Sequence, residues 1–219
     1  DVNRTYLKDA LSYCLPLLPH GLSIWVRSGV DRIYLTHFFG ESETGLYATG
    51  FQFALLISFV TLSFNNAYVP YLYKNLSLED QTQLIIFKKK IVRFTYLYLF
   101  GLVLFCLLMI GVSLFIIQYF LSKNYIDAQK YIPGIMVSQV FQGMYLMVVN
   151  YIFYTKKTKE LAIITFSCSI FQVIASYFFI KYLGGMGAVY STILVSFIIC
   201  ISVWWYSNKV YPMPWFKLK

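Results

Sequence analysis

The sequence predicts an all-α integral membrane protein, a bundle of six transmembrane helices. Three observations carry that expectation. Of 219 residues, 59% are hydrophobic and only 12% are charged, whereas a water-soluble domain needs about 25% charged residues to cover its surface. The mean hydropathy is +0.64. The apolar residues also form long runs that do not alternate, such as LAIITFSCSIF at 161–171, which excludes the alternating segments of about ten residues that build a membrane β-barrel.

A helix needs about 20 apolar residues to cross roughly 30 Å of hydrocarbon. Six segments qualify in turn: 11–39, 45–73, 94–121, 131–154, 161–182 and 187–207. Their connections are too short for a soluble domain, so residues 1–219 are expected to form one six-helix transmembrane bundle. The first three spans exceed the minimum length, which predicts tilt, kinks or interfacial turns, with Pro16, Pro19 and Pro70 as candidate kink sites. The twenty Tyr and twenty Phe suit lipid-facing and interfacial positions.

The 18 basic residues set the orientation. Thirteen lie on one side: Arg4 and Lys8 before span one, Lys74, Lys88, Lys89, Lys90 and Arg93 between spans two and three, Lys156, Lys157 and Lys159 between four and five, and Lys209, Lys217 and Lys219 after six. Three lie on the other, Lys123, Lys130 and Lys181, where the GESETG turn (40–45) carries two Glu and no base. By the positive-inside rule both termini are cytoplasmic and that turn faces outward. The net charge of +9 is therefore a topology signal aided by anionic lipid, and no nucleic-acid partner is expected. A hydrophilic stretch precedes span one and Asp1 stands first, so no signal peptide is expected and the chain reads as an excised half of something longer.

Span one is the anomaly, because Arg27, Asp31 and Arg32 lie inside it. At about 100° per residue, His20, Arg27 and Asp31 fall within about 40° of one another. An ionised residue at the bilayer centre costs about 2.5–3.5 kcal/mol on insertion scales, so Arg27, near mid-depth, must face protein or water. One reading is an i,i+4 pair between Arg27 and Asp31 that pins neighbouring helices. The other is that Arg27 lines an aqueous cavity and holds phosphate or carboxylate through its planar guanidinium. Asp31 is the one acid inside any span, which makes it either a proton carrier or a counter-ion to an arginine.

Other spans carry polar stripes at helical spacing. Span two has Gln52, Ser63 and Asn66, and span four has Gln139, Gln142 and Asn150; large amides on one face suit either helix packing or a wet cavity that binds hydroxyls. In span five Thr165, Ser169, Gln172 and Ser176 read as packing groups. Spans three and six show no such face. Cys14, Cys106, Cys168 and Cys200 sit singly in four spans with no ligand partners at metal spacing, so they read as buried apolar residues, with neither metal nor disulfide expected.

The segment 15–56, LPLLPHGLSIWVRSGVDRIYLTHFFGESETGLYATGFQFALL, resembles the seventh and eighth helices of the Wzx-type O-antigen and capsule flippases. These form part of the polysaccharide transport branch of the superfamily that includes the MATE multidrug exporters. The motifs that carry the resemblance are Leu15–Pro16, Pro19–His20, Asp31–Arg32 and the Gly45–Leu46–Tyr47 run after a short turn. Pro70, the Phe-Tyr-Thr-Lys-Lys-Thr run at 153–158 and the Gly-Gly-Met-Gly-Ala turn at 184–188 add to it. The resemblance implies a MATE-like transporter of twelve helices in two bundles, this chain being the C-terminal one and the N-terminal one its missing partner. It also implies movement of undecaprenyl-pyrophosphate-linked oligosaccharide across the bacterial inner membrane by alternating access. Arg27 departs from what the family leads one to expect at its position, which points to a specificity residue or a local structural choice.

On that reading Arg27, with His20 and Arg32, contacts pyrophosphate or acidic sugar, and Gln52, Asn66, Gln139 and Gln142 line a hydrophilic cavity. Translocation makes no covalent bond, so no catalytic residue, metal or cofactor is expected. Two alternatives compete. An ion-coupled multidrug exporter would favour an acidic cavity for cations, against two arginines and one Asp here. A membrane-embedded glycan polymerase or acyltransferase would carry Arg, His or Asp in sizeable outer loops, which this chain lacks.

Overall fold

A computed structural model describes residues 11, 14, 15 and 17–215. Arg4, Lys8, Pro16, Lys217 and Lys219, invoked above, lie outside the described residues. Within them the secondary structure is helical throughout: α1 (Leu17–Leu76), α2 (Gln81–Phe120), a 3₁₀ segment (Lys123–Lys130), α3 (Ile132–Tyr154), α4 (Thr158–Leu183) and α5 (Gly185–Val210). All five long helices are apolar enough to cross a membrane.

At 1.5 Å per residue, the 60 residues of α1 would reach about 90 Å if straight, three times the hydrocarbon thickness. Gly40 breaks it, at φ 83° and ψ 179°. That region of backbone space is open essentially to glycine alone. The two arms, 17–39 and 41–76, fold back as an antiparallel hairpin. Tyr47 reaches Asp31, and Thr36 Oγ1 lies 3.0 Å from Thr44 Oγ1, pairs nearly symmetric about residue 40. The expected six-residue turn is thus a single-residue break, and the second arm begins four residues before the expected span. Thr44 Oγ1 donates to the Gly40 carbonyl at 3.0 Å, closing the first turn of that arm.

Of the prolines expected to kink the long spans, the two described ones, Pro19 and Pro70, do not break them. Pro70 lies inside α1, where Gly40 is the residue with non-helical dihedrals. Pro19 sits in the first turn, where the missing N–H would have no helical partner anyway. Span three also starts earlier than expected: Asp80 caps α2, its Oδ1 accepting from Thr82 N at 2.8 Å and Gln83 N at 3.4 Å. The helix therefore runs 13 residues ahead of the apolar segment, through Lys88–Lys90. At the far end, α4 and α5 form a second hairpin at Gly184, φ 68°.

The hairpins interleave so that alternate segments run parallel. The first arm of α1 lies along α4, with Tyr34 and Phe38 each 5.7 Å from Tyr177. The second arm lies along α3, where Asn150 Nδ2 donates to Asn65 Oδ1 at 2.8 Å. In turn α3 lies along α5, with Phe141 5.4 Å from Phe197 and Ser207 Oγ donating to the Val148 carbonyl.

Two hydrophobic clusters fill the bundle. One gathers Tyr68, Leu72, Ile91, Tyr145, Tyr151, Val203 and Trp215 at the lysine-rich end. The other gathers Leu35, Tyr47, Ile57, Tyr131, Ile135, Ile180 and Val189 at the opposite end. Cys106, Cys168 and Cys200 are buried as expected, whereas Cys14 is exposed, because it precedes the part of the first arm that packs against α4.

Candidate functional site

The first arm of α1 turns one face toward α4, and that face carries His20, Arg27 and Asp31. His20 Nδ1 lies 2.9 Å from Thr165 Oγ1. About three turns further, Asp31 is 3% exposed and receives four hydrogen bonds. Its Oδ1 accepts from Ser176 Oγ at 2.6 Å and from Gln172 Nε2 at 3.2 Å. Its Oδ2 accepts from Thr192 Oγ1 at 2.6 Å and from Tyr47 Oη at 3.2 Å. A carboxylate offers about four lone-pair sites, and all are filled by neutral donors from the second arm of α1, from α4 and from α5.

Local sequence explains the cage. Gln172 and Ser176 are one turn apart on α4, so both reach the same carboxylate oxygen, and Gln172 Nε2 also donates to Ser176 Oγ at 2.8 Å. Gly184 turns the chain back and brings Ser191, 3.1 Å from Ser176, and Thr192 alongside. Gly40 does the same for Tyr47. Burying an anion without a counter-ion is costly unless dipoles replace its water, and these four donors do so.

The expected i,i+4 pair between Arg27 and Asp31 is not formed, nor does Asp31 serve as counter-ion to Arg32. The acid that does pair with a base is Glu43, 2.8 Å from Lys130 Nζ. The Asp31 carboxylate is already saturated, so neither arginine has a lone pair to claim.

Arg27 instead faces Tyr145 of α3 and Cys168 of α4, both near the middle of their helices, and lies close enough to His20 for their charges to interact. Its Nε is buried without a hydrogen-bond partner. The Arg32 Nε is likewise buried and unpartnered, and its guanidinium stacks 5.0 Å from the centre of Phe51. Arg27 thus lies half-buried beside two members of the cluster at the lysine-rich end, its Nε without a hydrogen-bond partner.

The amides do not converge on Arg27 as one wall. Gln52 is exposed and lines a crevice of about 470 Å³ with Thr49, Phe53, Leu56, Leu121 and Tyr125, toward the GESETG end. Asn66 is exposed, while its neighbour Asn65 makes the bond to α3. Gln139 and Gln142 are half-buried on α3, Gln142 one turn before Tyr145. Sequence reasoning missed Thr192, on a span read as featureless. It read Gln172 and Ser176 as packing groups and Tyr47 as part of a motif. The missed signal was the lone buried acid itself, which obliges the fold to supply donors.

At the opposite end from the lysine-rich face, Glu43 accepts from Lys130 Nζ at 2.8 Å and from Tyr131 Oη. Partial burial pushes its carboxyl up. The two hydrogen bonds and the Lys130 charge outweigh that and hold it below its ordinary value. This contact joins the α1 hairpin to the segment that leads into α3.

No family model and no solved structure matches the chain. It is 32% identical over 185 residues to an uncharacterised membrane protein of Haemophilus influenzae, covering 84% of this chain and 42% of that protein. It is 29% identical over 170 residues to Lsg locus protein 1 of the same organism, covering 75% of this chain and 39% of that protein. The chain spans about two fifths of the length of these relatives. It is an all-helical, multi-pass membrane protein with bacterial relatives about twice its length.

Proposed function

We propose that the chain is the C-terminal six-helix bundle of a MATE-like flippase that carries undecaprenyl-pyrophosphate-linked oligosaccharide across the bacterial inner membrane. The observation that carries this reading is Arg27: a half-buried arginine on the face that meets α4, its Nε buried and unpartnered. A buried polar group left unmade costs stability, and a charge kept there at that cost is suited to a passing anion. Pyrophosphate fits the fork of donors that Arg presents. The sequence resemblance and the greater length of the relatives, one of them named for the Lsg locus, support a two-bundle protein.

In this mechanism Arg27 holds the pyrophosphate while the lipid tail stays in the bilayer, and no bond of the substrate is made or broken. His20, held by Thr165, stands two turns away toward the cytoplasmic face and takes the anion before or after Arg27. Asp31 carries the coupling proton. All four partners donate to the carboxylate, so on protonation one hydroxyl, Ser176 or Thr192, must turn to accept instead of donate. That exchange loosens the tie between the first arm and α4–α5, the tie on which alternating access would act.

The test is Arg27→Ala in the full-length protein. Surface glycan is expected to disappear while the protein stays in the membrane; normal export would remove Arg27 from the mechanism.

A further inference from the structure

In the half of the bundle nearer Gly40, three elements enclose the crevice that holds Gln52. Thr49, Gln52, Phe53 and Leu56 lie at i, i+3, i+4 and i+7 on the second arm of α1, which puts them on one face of that helix. Leu121, just past the end of α2, and Tyr125, on the 3₁₀ segment, close the other sides around about 470 Å³. That volume is in the range of small-ligand sites.

Local sequence builds these walls. At Leu121 the backbone turns extended, at φ −96° and ψ 158°, and α2 stops. Tyr125 N donates to the Ser122 carbonyl at 2.9 Å and opens the 3₁₀ turns. Gln129 Nε2 donates to the Leu114 carbonyl at 3.4 Å, tying that segment back to α2. Gly50 lets the same segment come close to the second arm: a Cβ there would lie 3.1 Å from Tyr131 Cβ and 3.6 Å from the Ala128 carbonyl oxygen. The crevice is thus held between three elements that are fixed to one another.

Its lining combines hydrogen-bonding groups with apolar surface. Gln52 is exposed, and its amide offers one acceptor and two donors. Tyr125 is 43% exposed, with a phenol that both donates and accepts. Thr49 Oγ1 donates to the Gly45 carbonyl at 2.9 Å and can still accept. Phe53, Leu56 and Leu121 supply an aromatic ring and two aliphatic walls. These six side chains are uncharged, so charge does not choose the occupant. An acyl chain would cover the three polar groups without replacing their hydrogen bonds to water. A sugar ring matches both parts of the lining, with hydroxyls for the amide, phenol and threonine and C–H faces for the apolar walls.

We propose that this crevice binds a neutral sugar ring of a saccharide, with Gln52 and Tyr125 on its hydroxyls and Phe53, Leu56 and Leu121 against its C–H faces. That the saccharide arrives attached to a lipid rests on the flippase reading. The chemistry of the crevice does not.

The experiment places the photo-crosslinker p-benzoylphenylalanine at Leu56 of the full-length protein, with Arg27 intact, in cells that make surface glycan. Irradiation is expected to join saccharide to the peptide that carries the crosslinker, read by mass spectrometry after digestion. The same crosslinker at Leu121 should capture saccharide too, so the outcome does not hang on one variant folding. At Tyr119, 66% exposed on α2 and outside the crevice, it should capture much less. Gln52→Ala together with Tyr125→Phe should cut the yield about tenfold at an unchanged level of protein in the membrane. Sugar that carries pyrophosphate identifies a lipid-linked source and sugar alone a finished glycan, and either supports the crevice. No saccharide at both Leu56 and Leu121, phospholipid alone, an equal yield at Tyr119, or a yield untouched by the Gln52 and Tyr125 changes would each overturn it. If Arg27→Ala exports glycan normally while saccharide is captured, the transport reading falls and the crevice stands. If Arg27→Ala abolishes export and nothing is captured, the crevice alone falls.

Discussion

Arg27 and Asp31 stand one helical turn apart on the first arm of α1 and do not pair. The carboxylate is claimed by Tyr47, Gln172, Ser176 and Thr192, and the arginine Nε is buried without a partner. The two charges are thus free to have separate roles. Asp31 binds four segments of the bundle together, and Arg27 keeps capacity for something that is not protein.

Separate roles predict a split between stability and transport. Arg27→Leu removes a partly buried, unpaired charge, so the protein should melt in detergent at the same temperature as the parent or slightly higher. Export of surface glycan should nevertheless be lost. A large drop in melting temperature would assign Arg27 to structure.

Asp31→Ala should behave in the opposite way. It strands several buried donors, and a loss on the order of 3 kcal/mol is expected in chemical unfolding in detergent. Asp31→Asn keeps the shape and should cost less, but it cannot take up a proton. Transport by that variant should lose its dependence on pH; an unchanged pH profile would make Asp31 a structural tie alone.

Backbone geometry gives a third expectation. Gly40→Ala forces a side chain into φ 83° and should cost about 1–3 kcal/mol. Gly187→Ala sets a Cβ against the Phe179 carbonyl, backbone that cannot swing aside, and should lower stability by a similar amount. Thermal unfolding of both variants is the measurement. Gly101→Ala, whose Cβ meets nothing within 4 Å, is the control expected to be neutral or stabilising.

Acid should loosen the end of the bundle that carries Glu43. Its carboxyl is held below its ordinary value of 4.5, so the Lys130 tie stabilises the fold fully above that value and fades as pH falls through the lowered one. The difference in melting temperature between the parent and Glu43→Gln should therefore be constant from neutral pH to about 5 and shrink below it. A difference that grows in acid would contradict the tie.

Much of this architecture was legible in the chain because hydrocarbon imposes a simple rule. Backbone groups in lipid must be satisfied within their own segment, so long apolar runs become helices, and all six did. Boundaries were less legible. The helix of α2 continues ahead of its apolar segment because Asp80 caps it and nothing between Gln81 and Phe94 opposes helix. The turn after span one shrinks to one residue because Gly40 alone can take the required backbone angles.

The site was legible in its parts and not in its assembly. His20, Arg27 and Asp31 were placed on one face by periodicity, and that face does meet α4. Periodicity cannot say which neighbour arrives. Thr192 lies 161 residues from Asp31, and its span looked featureless because a single hydroxyl makes no stripe.

The sequence by itself determined the membrane class, the six helical segments and the one helix that carries buried charge, since these follow from local hydropathy and the cost of charge in lipid. The tertiary structure alone decided that Asp31 is satisfied by hydroxyls and amides while Arg27 is left unpaired. A hydrogen bond needs two groups within about 3 Å, and only the two hairpins, closed at Gly40 and Gly184, bring those donors to that carboxylate.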